Sequence, residues 1–119
     1  MEHIPGKQSQ AKGRRGELEL AHILQGYGYN VQPGRAQSYG KEPDLSGLPG
    51  IHMEAKRCEQ VRLSQWMAQA QRDAEKFQDG VPAVFHRCSR SPWLVTMRLG
   101  DWLALYSRQK APETNEEGS

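Results

Sequence analysis

Three acids and a lysine could do chemistry in this 119-residue chain: Glu17, Asp44, Glu54 and Lys56. Glu54 and Lys56 stand two apart in IHMEAKR, residues 51–57. Alternation there predicts a strand with Ile51, Met53 and Ala55 on one face and His52, Glu54 and Lys56 on the other. Residues i and i+2 share a face, so acid and amine lie about 7 Å apart. Asp44 opens a second short strand over 44–46, and Gly47-Leu48-Pro49-Gly50 is a strong turn signal between the two. A hairpin then sets Asp44 beside Glu54. Two carboxylates and a backbone carbonyl, with Ala55 the natural donor, form a hard oxygen site that suits Mg²⁺ or Mn²⁺. Lys56 beside such an ion can align a water, or lower its pKa, for attack on phosphorus. The cation neutralises charge that develops on the phosphate.

Glu17 lies on a predicted helix over 12–27, in line with Leu20, Ala21 and Leu24, all within about 60° of its direction at 100° per residue. A carboxylate facing the sheet is costly unless paired or bound to metal. Glu17 could complete the coordination, directly or through water. Glu19, about 200° round the helix, faces solvent. Each feature has a plainer reading. Glu17 in a first helical turn favours the helix dipole. Asp44 is a common turn residue. Glu54 and Lys56 can form an ion-pair ladder on a wet sheet face, contributing well under about 1 kcal/mol.

The elements that must position these residues follow from periodicity. After the first helix come strands over 29–32, 44–46 and 51–57. A second helix carries Leu63, Trp66, Met67, Ala70, Ala74 and Phe77 as one apolar stripe, ended by Gly80. Strands over 83–87 and 93–98 follow, and Asp101 caps a short helix through Tyr106. The order αβββαββα predicts an α/β fold, a mixed central sheet flanked by helices. Trp66, Trp93 and Trp102 read as core. Residues 1–11 read as a flexible arm, 12–108 as one domain, and 109–119 as a disordered acidic tail. Removing the three acids of 113–119 raises the formal balance from +2 to +5, compatible with a polyanionic partner. Two cysteines, Cys58 and Cys88, are too few for a disulfide scaffold and form no zinc pattern. No base is arranged to activate Cys58. With no apolar N-terminal run and no membrane-length segment, the expectation is a soluble cytoplasmic protein with no membrane partner.

PDLSG at 43–47 followed by MEAKR at 53–57 resembles the PD-(D/E)xK nuclease superfamily, and the predicted αβββαβ order resembles its restriction-endonuclease-like core. KGRRGELEL at 12–20 is similar to the first helix of archaeal-type Holliday-junction resolvases. QAQRDAEKF and VPAVFHRCSRSPWLVT look like small phage and prophage resolvase-like endonucleases. The resemblance spans about residues 12–105; the last strand and helix are additions to the αβββαβ core. It implies a Mg²⁺-dependent endonuclease acting on DNA, branched or otherwise structured. Asp44 and Glu54 would be metal ligands, Lys56 the catalytic lysine and Glu17 an accessory acid. A glutamine after E-x-K reaches the site in some relatives, and Gln69 is the candidate here, with Gln65 second. The loop before Asp44, QSYGKEPD, is longer and less basic than in the archaeal resolvases. Cutting a four-way junction symmetrically implies a homodimer. The alternatives are a nicking or restriction-type nuclease on duplex DNA and a non-catalytic DNA-binding protein of nuclease-like fold.

Lys12, Arg14 and Arg15 cluster beside Glu17, where backbone phosphates would bind by charge. Arg35, Lys41, Arg57 and Arg62 flank the expected hairpin, and His86, Arg87 and Arg90 follow the fourth strand. No base-reading motif accompanies them, which points to backbone or shape recognition.

Overall fold

The computed structural model describes the backbone of residues 5–35 and 40–118, and side chains over 14–35 and 40–109. Its elements follow the expected order: α1 Pro5–Gly26, β1 Gln32–Pro33, β2 Leu45–Ser46, β3 Gly50–Arg57, α2 Leu63–Phe77, β4 Gly80–Arg87, β5 Leu94–Met97 and α3 Leu99–Gly118. The class is α/β, a mixed three-stranded sheet with helices against it.

The sheet runs β3-β4-β5, with β3 and β4 parallel and β4 and β5 antiparallel. A parallel neighbour requires a crossover, and α2 supplies it. Gly80 pairs with Gly50 at the start of the parallel ladder. A Cβ on Gly80 would stand 2.3 Å from the Gly50 carbonyl carbon, at φ +138°, so only glycine fits. Gly80 therefore begins β4 rather than ending α2. The helix stops at Gln78, which is left-handed and donates its N–H to the Ala74 carbonyl. Pro82 falls in β4 ahead of Ala83, where pairing with β5 begins, so its missing N–H removes no bond to that neighbour.

Alternation along β3 and β4 divides the interior in two. Met53, Ala55, Ala83 and Phe85 point toward α1, where Leu20, Ala21, Val31 and Leu45 complete the main apolar cluster. Trp66 and Ala70 of α2 cover Val84 on the opposite face. That second face also buries His52, Glu54 and His86. The plainer reading of Glu54 and Lys56 as a ladder on a wet face does not hold, because α2 covers that face.

Several boundaries and pairings differ from expectation. β2 pairs with β1, not β3, so the hairpin does not form. The reason is Gly47, whose φ of +127° and bare Cα let it lie against Asn30 and Val31, where a Cβ would meet the Asn30 oxygen at 2.3 Å. β1 is shorter and later than expected, at Gln32–Pro33. α1 begins at Pro5, a residue tolerated at the first helical position, so much of the expected arm is helical; residues 1–4 lie outside the described residues. The described backbone of α3 runs from Leu99 to Gly118, beyond the short helix expected through Tyr106. Asp101 lies within the first turn of α3 rather than capping it, and accepts a 2.7 Å hydrogen bond from Arg98 Nε. Trp66 is core and Trp93 packs against the main cluster, but Trp102 is 49% exposed. It stacks on Tyr106 of its own helix at 5.4 Å instead. No helix among the described residues is long and apolar enough to cross a membrane.

Candidate functional site

β3 is an edge strand contacted by α1, β2 and α2, so three elements deliver side chains to it. Glu54 sits on β3, 2% exposed. Its Oε1 meets His52 Nε2 at 3.1 Å, while its Oε2 is buried with no hydrogen-bond partner. Burial raises the Glu54 pKa above the usual carboxylate range, the His52 hydrogen bond opposes this, and the charge of Asp44 adds to it.

Glu17 and Asp44 converge from the α1 side. Burial raises Glu17 to about 8, reinforced by the charge of Asp44, by a hydrogen bond shared with it and, more weakly, by the charge of Glu54. Arg14 offsets part of this, its Nη1 lying 3.8 Å from Glu17 Oε1. The same guanidinium donates to the Gly34 carbonyl, and Gly34 in turn donates its N–H to the Asp44 carbonyl at 2.7 Å. The segment bearing Asp44 is thereby tied to α1 without β2–β3 pairing. Because α1 starts at Pro5, Glu17 is not in a first turn and its dipole reading falls away.

Lys56 leaves the same face of β3 as Glu54, and its Nζ donates to Gln69 Oε1 of α2 at 2.7 Å. Gln65 is exposed on α2. Ala55 follows Glu54 with its side chain in the main core. Glu54 interacts by charge with Glu17 and with the exposed Asp44, while the His52 imidazole lies against its other oxygen. Glu17, Asp44 and Glu54 approach one another here, but among the described residues the group whose ligand atoms stand within 4.8 Å of one another is His52, Glu54 and Asp73, not these three.

The basic residues separate into two groups. Arg15 and Lys41 are exposed; Arg35 is 82% exposed but paired with Glu42 at 2.8 Å. Arg57 and Arg87 are instead engaged by Glu19, Arg57 at 3.3 Å. This corrects Glu19 from solvent-facing to bridging, because α1 passes over the ends of β3 and β4, where Arg57 and Arg87 are register partners. Arg14 is likewise occupied within the fold. The Lys12 side chain lies outside the described residues.

Sequence reasoning passed over His52, Asp73 and Asp79. His52 Nδ1 lies 2.9 and 3.0 Å from the two Asp79 oxygens, and its ring stacks on Phe77. Burial lowers the His52 pKa, but hydrogen bonds to Glu54 and Asp79 outweigh it and lift the value to about 9. The signal for His52 was its place on the Glu54 face, and for Asp73 its i+4 spacing from Gln69. Asp79, after the helix stop, had none. Compared with protein-family models, with curated proteins and with solved structures, the chain matches none.

Proposed function

We propose that the chain is a divalent-metal-dependent endodeoxyribonuclease with a restriction-endonuclease-like core of the PD-(D/E)xK kind. The observation that carries this reading is the buried, unpartnered Glu54 Oε2, with Glu17 and Asp44 near enough to Glu54 to interact with it by charge and Lys56 two residues on along the same strand. The donor set fits a hard cation: Asp44 and Glu54 would hold Mg²⁺ or Mn²⁺, with the Ala55 carbonyl and Glu17 completing the oxygen ligands. When bound, the ion supplies Lewis-acid activation of water and charge neutralisation at the phosphate. Gln69 holds the Lys56 ammonium by its Nζ, so the lysine is positioned to orient a water and to stabilise negative charge on a phosphate oxygen. Arg15, Lys41 and Arg35 supply exposed charge for DNA backbone contacts.

Branched or structured DNA is the proposed substrate class, and symmetric cutting of a four-way junction would need a homodimer. The test uses a four-way junction and a linear duplex of the same sequence, with Mg²⁺ or with chelator. Mg²⁺-dependent cutting of the junction in preference to the duplex is expected. Equal cleavage of both would leave a nuclease without junction selectivity. Lys56→Ala should lower the rate about 100-fold or more while DNA affinity stays within a few-fold; wild-type cutting by that variant would refute the mechanism.

A further inference from the structure

On the α2 side of Glu54, ligand atoms of His52, Glu54 and Asp73 all lie within 4.8 Å of one another. His52 is the informative member. Both Asp79 oxygens stand at its Nδ1 and its ring rests on Phe77, so the imidazole is fixed in place. A carboxylate at one ring nitrogen sets the tautomer and presents the other nitrogen as a ligand. That other nitrogen, Nε2, lies 3.1 Å from Glu54 Oε1. Adjacent ligands on a tetrahedral ion with bonds of about 2.0 Å stand about 3.3 Å apart. The observed separation therefore suits either a shared proton or a shared ion. Asp73, half-buried on α2, brings a third donor and gives the otherwise buried pair a route to solvent.

Glu54 can serve here without leaving the nuclease site. Its Oε1 faces His52, whereas Oε2 has no partner although the residue is almost wholly buried. A carboxylate with one oxygen engaged and the other vacant is placed to join two cations. We propose that His52, Glu54 and Asp73 form a second cation site, separate from the Asp44 side of Glu54, that takes a transition ion of the Zn²⁺ or Co²⁺ class. An imidazole with two carboxylates favours such ions over Mg²⁺, which is content with oxygen alone. The inference rests on the proposed function only through the shared Glu54; the site could fill in a chain that cuts nothing.

The test uses the full chain stripped of metal. Co²⁺ is titrated by visible absorption, Zn²⁺ and Mg²⁺ by calorimetry, and Zn²⁺ is followed by the ¹⁵N shifts of the histidines. The expected result is a His52 nitrogen that shifts on Zn²⁺ addition, with His52→Gln and Asp73→Asn each weakening Co²⁺ and Zn²⁺ at least tenfold while Mg²⁺ stays within a few-fold. Asp44→Asn should do the reverse, weakening Mg²⁺ and sparing the His52 signal. Asp73→Asn alters a half-buried position, so it keeps the test open should His52→Gln fail to fold. Unchanged Co²⁺ affinity in Asp73→Asn, or no His52 shift with Zn²⁺ in the wild type, would overturn the site. So would loss of every ion in Asp44→Asn. A wild type that binds Zn²⁺ at His52 but cuts no DNA would defeat the nuclease reading and leave this one standing.

Discussion

Glu17 and Glu54 are acids whose burial opposes their charge more than Arg14, beside the one, and His52, beside the other, support it. For Glu17 the consequence is a pH dependence with a definite sign. Its folded pKa, about 8, lies above the ordinary 4.5. Its contribution to stability is therefore complete below 4.5 and is lost as pH rises through about 8. In chelator, the melting temperature should fall over this window, and Glu17→Gln should fall less steeply, standing a few degrees above the wild type at pH 9. Parallel slopes for the two proteins would contradict the assignment. His52, raised to about 9, declines in the same direction, so the difference between wild type and variant is the quantity to read. The sequence made Glu17 conspicuous because it interrupts an apolar stripe. It did not reveal Glu19, whose angle on an isolated helix says solvent. Only the passage of α1 across the strand ends brings Arg57 and Arg87 to it.

At the scale of elements, period was legible and pairing was not. Seven residues of alternation defined β3, and the apolar stripe fixed α2 at Leu63–Phe77. β1 and β2 are two residues each, too short for alternation to choose a partner. The obvious turn at 47–50 suggested a hairpin, but the backbone contact at Gly47 directs β2 to β1. Gly47→Ala tests that account. The added methyl has no room against Asn30, and the change should cost about 2 kcal/mol or more, measured by denaturant unfolding. Cutting should fall with it, since Asp44 hangs from the same segment. A variant of wild-type stability would show that β1 and β2 can separate freely. Trp102 illustrates the same limit: helical spacing identifies a stripe, but not whether another element covers it.

For the molecule as a whole, net charge overstated the surface available to a polyanion. Arg14, Arg57 and Arg87 are engaged within the fold, whereas Arg15 and Lys41 are exposed. Arg15→Gln and Lys41→Gln should each lower the slope of log affinity against log salt by about 1 without moving the melting temperature. Arg87→Gln should instead lower stability by about 1 kcal/mol, through loss of its pairing with Glu19. Fluorescence anisotropy across a salt series, with parallel melts, separates these cases; a phosphate contact at Arg87 would reverse the pattern. A kinetic consequence follows from the ladder between β3 and β4, in which every rung joins positions 30 apart, Gly50 to Gly80 through Arg57 to Arg87. The Glu54 carboxylate keeps its hydration until that long detour of chain has closed and α2 has settled over it. Its dehydration thus falls late on the route to the native state. Glu54→Gln removes that dehydration and also the charge facing His52, so its net effect should appear in the lifetime of the folded metal-free protein while the speed of refolding stays almost untouched.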